Sequence, residues 1–186
     1  MTNPHGAMPQ DLAHLVEQYL DELREIYSTG AASPETSYYP ALANLLSGVG
    51  ATLKPKVRCI LQLAKQGTGL PDGGLFTADQ FPRRDDPTPK PGQLPARGIV
   101  EVKSPKLDVC QIVQTEQIRR YLAAYGLVLV TNLRQFLIVQ RGPGGQVVER
   151  ESFTLAEDEE DFWQQKVGHP RRTAQQMGKA LGEFLR

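Results

Sequence analysis

The chain has 186 residues, 40% apolar and 23% charged, which suits one globular domain, and no apolar run approaches the roughly 18 residues that span a bilayer. Basic and acidic residues balance to a net charge of zero, which argues against a strong, indiscriminate DNA binder, because neutralising phosphates takes surplus Lys and Arg. The opening residues lack the basic-then-apolar pattern of a signal peptide, and Cys59 and Cys110 have no CxxC spacing, so the expectation is a cytoplasmic protein with neither a disulfide framework nor a zinc site.

Residues 1–9 read as a flexible tail. From 11 to 27, Leu12, Leu15, Val16, Tyr19, Leu23, Ile26 and Tyr27 have the spacing of an amphipathic helix that stops before Gly30. Ser33-Pro34-Glu35-Thr36 can open a second helix, with Ser33 as cap; Pro40 either kinks that helix or marks its true start. Glu35 falls near its N-terminal end. Val57 to Ala64 predicts a strand and Leu70 to Thr77 the next, with Gly67 and Gly69 in the turn between them. Five prolines between 79 and 97 predict a long, mobile loop.

Residues 98–103 alternate β-branched and charged side chains and predict a third strand. Asp108 with Gln111 has capping-box form, and the helix it opens should run to Tyr125 and end at Gly126. Leu127–Thr131 and Gln135–Gln140 follow as apolar strands, the Gly142–Gly145 turn leads to a further strand at 146–153, and helical stretches near 158–167 and 171–186 close the chain. A strand–helix–strand crossover among these elements predicts an α/β fold, a mixed β-sheet flanked by helices. Gly178 and Gly182 are spaced for close helix packing, and Trp163 beside Phe162 suits a packing anchor or a contact with a neighbouring domain.

The chemistry concentrates on a few positions. Side chains two apart on a strand share a face, so Glu101 and Lys103 project together while Val102 turns to the opposite, buried face. With Asp72 of Pro71-Asp72 nearby, two carboxylates and a lysine at a sheet edge can hold a hard divalent metal and an activated water, the equipment for cutting a phosphodiester. Each piece has a bland reading. Pro71-Asp72-Gly73 is a good turn, Glu101 and Lys103 can be an ordinary cross-strand charge pair, and Gln117 and Tyr121 can simply be one helix touching a sheet. Their joint occurrence, in this order and on these elements, favours the site. Other templates fail: Gly67–Gly74 has Asp72 where a GxGxxG loop needs Gly, and His5, His14 and His169 are scattered.

This order and these motifs resemble the PD-(D/E)XK nuclease superfamily, whose restriction-endonuclease-like core is αβββαβ. The match covers roughly residues 34–140. Asp72 stands for the aspartate, Glu101 and Lys103 for the ExK, Gln117-Ile-Arg-Arg-Tyr121 for the QxxxY motif of RecB-like nucleases, and Glu35 for the helical glutamate. The resemblance implies a metal-dependent endonuclease in which Asp72, Glu101 and the Val102 carbonyl bind Mg²⁺, with Mn²⁺ as a substitute. Glu35 would ligate a second ion through water, and Lys103 would position the nucleophile. Gln117 would orient Lys103 or a phosphate, and Tyr121 would steady the backbone. Residues 10–155 would form the nuclease domain, with 156–186 a C-terminal helical extension.

Glu-Thr-Ser-Tyr-Tyr-Pro-Ala-Leu, Gly-Leu-Pro-Asp-Gly-Gly and Val-Glu-Val-Lys are also similar to the N-terminal nuclease domain of bacterial restriction-modification polypeptides. That likeness implies DNA as partner, linked or associated methyltransferase and specificity domains, and a dimer for double-strand cleavage. The rival readings are a catalytically idle DNA-docking or interaction module and a nuclease acting on RNA or on repair substrates. Arg83, Arg84, Lys106, Arg119 and Arg120 are the cations that fall in or near this region.

Overall fold

The computed structural model describes residues 11–30, 35–62, 70–83 and 85–186. The first helix, α1 (Leu12–Ser28), is capped by Asp11, whose side chain accepts the Ala13 N–H at 3.0 Å, and it buries Leu15, Val16, Tyr19, Leu20 and Leu23 along one face. A 3₁₀ turn (Glu35–Tyr38) leads directly into α2 (Tyr39–Gly50). Pro40 therefore marks the start of the helix and does not kink it, because a residue in the first turn has no intrahelical acceptor to lose. The cap expected at Ser33 and the turn expected at Gly67 and Gly69 lie outside the described residues.

Strand β1 (Val57–Leu61) pairs antiparallel with β2 (Gly73–Thr77), which begins three residues later than the predicted Leu70. The reason is local: Pro71 has no N–H to give a ladder, and the register closes at Leu61 opposite Gly73. The proline-rich segment that follows is a loop, but it is laced to the sheet. Buried Gln80 accepts the Thr77 and Ala96 N–H groups and donates to the Leu94 carbonyl at 2.6 Å. Its own carbonyl accepts the Lys90 N–H. Arg58, on β1, donates to the Asp86 carbonyl and lies over the Phe81 ring at 4.0 Å.

Strand β3 (Ile99–Val102) is followed by two short helices, α3 (Val109–Ile112) and α4 (Glu116–Tyr125), where a single helix was predicted. Asp108 caps α3 through the Cys110 N–H, not through the N–H of Gln111 that a capping box requires. The Thr115 hydroxyl then takes the Ile112 carbonyl at 2.8 Å, ending α3, and Thr115 itself is extended before α4 restarts. Gly126, at φ 78°, terminates α4 as expected.

Strands β4 (Leu127–Thr131), β5 (Gln135–Arg141) and β6 (Val147–Thr154) complete one six-stranded sheet in sequential order. Only β3 and β4 are parallel, joined across α3 and α4; every other neighbour is antiparallel. The architecture is the predicted α/β mixed sheet flanked by helices. Alternation along β3 sends Val100 and Val102 into the core under α1 and α2, and Ile99 into a second core under α3 and α4.

The closing segment runs through α5 (Glu159–Asp161), a π-helical stretch (Phe162–Val167), α6 (Pro170–Thr173), a second π-helical stretch (Ala174–Gly178) and α7 (Lys179–Phe184). It packs into the same core as α1. Trp163 stacks on Tyr27 at 4.2 Å, and a Cβ at Gly182 would stand 2.5 Å from Leu12 Cβ, so the Gly178/Gly182 spacing serves close packing. No described helix is long and apolar enough to cross a membrane.

Helix α2 is seated on β1 by Ser47, whose hydroxyl accepts the Cys59 N–H at 3.0 Å, and by Gly50, where an added Cβ would come 2.3 Å from the Val57 carbonyl oxygen. Gly50→Ala should therefore destabilise the protein by about 1–3 kcal/mol through overpacking against backbone that cannot yield. Urea unfolding measures it, and an unchanged midpoint would show that the helix and strand are not in such close contact.

Candidate functional site

β2 and β3 pair over only two positions, Gly73 with Val100 and Gly74 with Ile99. Carrying that register one step further sets Asp72 opposite Glu101. There the strands part, and the Val102 N–H donates to the Asp72 carboxylate (Oδ2) at 2.8 Å. The Asp72 carbonyl in turn accepts the Gln62 N–H at 2.8 Å, from the end of β1. Asp72 is thus held from both sides, its backbone by one strand and its side chain by the other.

Glu101 and Lys103 share a face, as predicted, with Val102 fully buried behind them. Glu101 is 1% exposed. One of its oxygens accepts from Lys103 Nζ at 2.6 Å; the other, Oε2, is buried and has no hydrogen-bond partner among the described residues. A carboxylate oxygen left this way is costly unless something positive comes to it. Burial pushes the Glu101 carboxyl up to about 7, and the Asp72 charge adds to that, while the Lys103 hydrogen bond and charge and the Asp72 backbone N–H pull the other way. Burial works against the charge on Lys103, but Glu101, Asp72 and Glu35 outweigh it and hold the ammonium above its ordinary value.

Glu35, the first residue of the 3₁₀ turn, enters the same field. Burial raises its carboxyl; Lys103 lowers it, Asp72 raises it, and hydrogen bonds from Tyr39 and the Ser104 backbone lower it. The structure therefore gathers Glu35, Asp72, Glu101 and Lys103 into one electrostatic cluster drawn from a helix entrance and two strands. Tyr39 belongs to it as well, donating toward Glu35 Oε1 at 3.4 Å and interacting with the Asp72 carboxylate. The sequence reading missed this residue. The signal that was there is its i, i+4 spacing from Glu35.

Gln117 and Tyr121 project from α4, and their side chains bond to each other, Gln117 Nε2 to the Tyr121 hydroxyl at 2.9 Å. The Tyr121 hydroxyl is raised by burial first and also feels the charges of Glu101, Asp72 and Lys103, which places it beside the cluster. Of the outlying cations, Arg119 pairs with Glu116 at 3.5 Å, Lys106, Arg120 and Arg83 are exposed, and Arg84 lies outside the described residues.

The site's donors are all oxygen: the carboxylates of Asp72, Glu101 and Glu35, and the Val102 carbonyl that lies between the ExK side chains. Among the described residues no three His, Cys, Asp or Glu side chains converge tightly enough to cage an ion. An ion here would rest on one or two carboxylates and keep much of its water, which is how a small hard cation binds. The unpartnered Glu101 oxygen fits that role.

No protein-family model and no curated protein matches the sequence. Solved structures do match. Among them is a chain from a cryo-electron-microscopy structure of a DrdV–DNA complex, aligned over 92% of this chain and 98% of that one, with a TM-score of 0.52 and 18% identity. At that identity the likeness is one of fold. Fold and topology together define an α/β protein consistent with a restriction-endonuclease-like core.

A carboxyl whose pKa is higher in the folded than in the unfolded chain favours folding when protonated, so its contribution is lost as pH rises toward about 7. Glu101→Gln mimics the protonated form. In metal-free protein it should raise Tm relative to wild type at pH 8 and match it near pH 4, in thermal melts with EDTA. A variant less stable than wild type at pH 8 would show that the Lys103 pairing outweighs the desolvation.

Proposed function

We propose that this protein is a metal-dependent nuclease that hydrolyses phosphodiester bonds in DNA. The observation that carries the reading is the Glu101 carboxylate: buried, bonded to Lys103 on one oxygen, bare on the other, and set beside Asp72 where two strands part. Support for DNA comes from the fold shared with a protein solved as a DNA complex.

In this reading Asp72 and Glu101, with the Val102 carbonyl, would hold Mg²⁺, and Glu35 stands within the same field. When bound, the ion would lower the pKa of a water and offset charge on the phosphate. The chain's own contributions are distinct. Lys103, kept protonated by the surrounding carboxylates, presents a fixed positive charge to the phosphate and loses no energy in reorganising when charge develops there. Asp72 is locked by the Val102 N–H, so its other oxygen has a defined direction. Gln117 and Tyr121 form the wall of the site on the α4 side. With zero net charge the chain has little non-specific pull on phosphates, so methyltransferase or specificity domains, fused or associated, would supply most of the DNA affinity.

Asp72→Ala and Lys103→Ala should each lower plasmid nicking in Mg²⁺ by about 100-fold or more while leaving a cooperative thermal transition. EDTA should abolish wild-type nicking. Wild-type rates in both variants would remove the nuclease assignment, and cleavage of a short RNA in preference to plasmid would move the substrate class.

A further inference from the structure

Tyr39 stands where three parts of the molecule meet. Its ring is 5% exposed and belongs to the core that α1 and α2 share with the sheet. Its backbone is the first residue of α2, ahead of Pro40, so both the ring and its direction are set by packing rather than by a flexible stem. Its hydroxyl donates toward Glu35 Oε1 at 3.4 Å, and burial first, with Asp72 and Glu35 adding to it, holds the phenol protonated. Glu35 and Asp72 come from elements that have no backbone pairing with each other.

A phenol has one proton to donate. Its single proton bonds one carboxylate oxygen, and the 3.4 Å contact assigns it to Glu35. Glu35 is only partly buried, and the Tyr39 hydroxyl, with the Ser104 backbone, holds its side chain against solvent. Cys59 and Tyr19 lie deep in the core, where burial alone raises them.

We propose that Tyr39 is a positioning residue whose hydroxyl tethers Glu35 beside Asp72, so that the Glu35 carboxylate stays at hand for a bound divalent ion or its water shell. The proposal rests on the nuclease reading and adds a residue to it. Removing a partner that orients a metal ligand typically costs 10- to 100-fold in metal affinity.

The test uses Tyr39→Phe in the 186-residue chain, which keeps the ring in the core and deletes one oxygen. Calorimetry with MgCl₂ should show affinity reduced by about tenfold or more. The Mg²⁺ concentration giving half-maximal plasmid nicking should rise by a similar factor, and by more than the maximal rate falls. Metal-free Tm should stay close to wild type. Wild-type Mg²⁺ affinity in the variant, with wild-type protein active, would overturn the tether and leave the nuclease reading standing; so would a loss confined to the maximal rate. A large fall in metal-free Tm would make the hydroxyl a structural group and likewise overturn the proposal. Wild-type protein that neither binds Mg²⁺ nor nicks DNA would overturn the nuclease reading and the tether together.

Discussion

A side chain standing in for a strand partner organises this site. Where β2 and β3 separate, the Val102 N–H would be left without a carbonyl, and the Asp72 carboxylate accepts it at 2.8 Å. A charge-assisted bond of this kind is shorter and stronger than a neutral one. It does two jobs: it satisfies the backbone of a fully buried strand, and it fixes an acidic oxygen within the field of Glu101 and Lys103. The short two-position pairing of β2 with β3 is what opens the space. A longer ladder would have closed it.

Charge balance within the cluster follows from where each group sits. Glu35, Asp72 and Glu101 are three carboxylates facing one lysine, so the cluster carries an excess of negative charge that Lys103 alone does not cancel. Burial does most to push Glu101 up to about 7 and to raise Glu35, and the Asp72 charge adds to both. Proteins that bury like charges this way do so where a proton or a cation can come and go. The same arrangement holds Lys103 positive, so a strongly charged donor stands ready beside the acids.

The rest of the fold keeps these groups in place. Residues after Lys103 are pinned from the β4–β5 turn: Asn132 donates to the Leu107 carbonyl at 2.6 Å and buried Arg134 to those of Pro105 and Ala156. The Lys103 N–H itself continues the ladder to Thr131 at 2.8 Å. On the other side, the Tyr19 hydroxyl takes the carbonyl of Leu133, a buried residue at φ 72°, which locks that turn onto α1. The C-terminal helices close over α1 through Gly178 and Gly182 and so support the site at a distance, by bracing the helix that braces the turn.

Much of this was legible from residue patterns. Period-two alternation placed Glu101 and Lys103 on one face with Val102 behind, and the strand–helix–strand order required a mixed sheet. Gly126 marked a helix end because its backbone limits are intrinsic to the residue, whereas Pro40 offered a kink or a start and the structure chose the start. The misses involve competition that is settled only in three dimensions. A threonine hydroxyl broke the predicted 108–125 helix, and a single buried glutamine gathered the proline-rich loop. Tyr39 was invisible because a tyrosine beside a helix start looks like core, and nothing local says which acids its hydroxyl will meet. The sequence by itself determined the kinds of group available and the faces they occupy, since those follow from local geometry. Only the tertiary structure decided that Glu35, Tyr39, Asp72 and Glu101 meet, and that one Glu101 oxygen stays bare, because burial and long-range register belong to the packed chain as a whole.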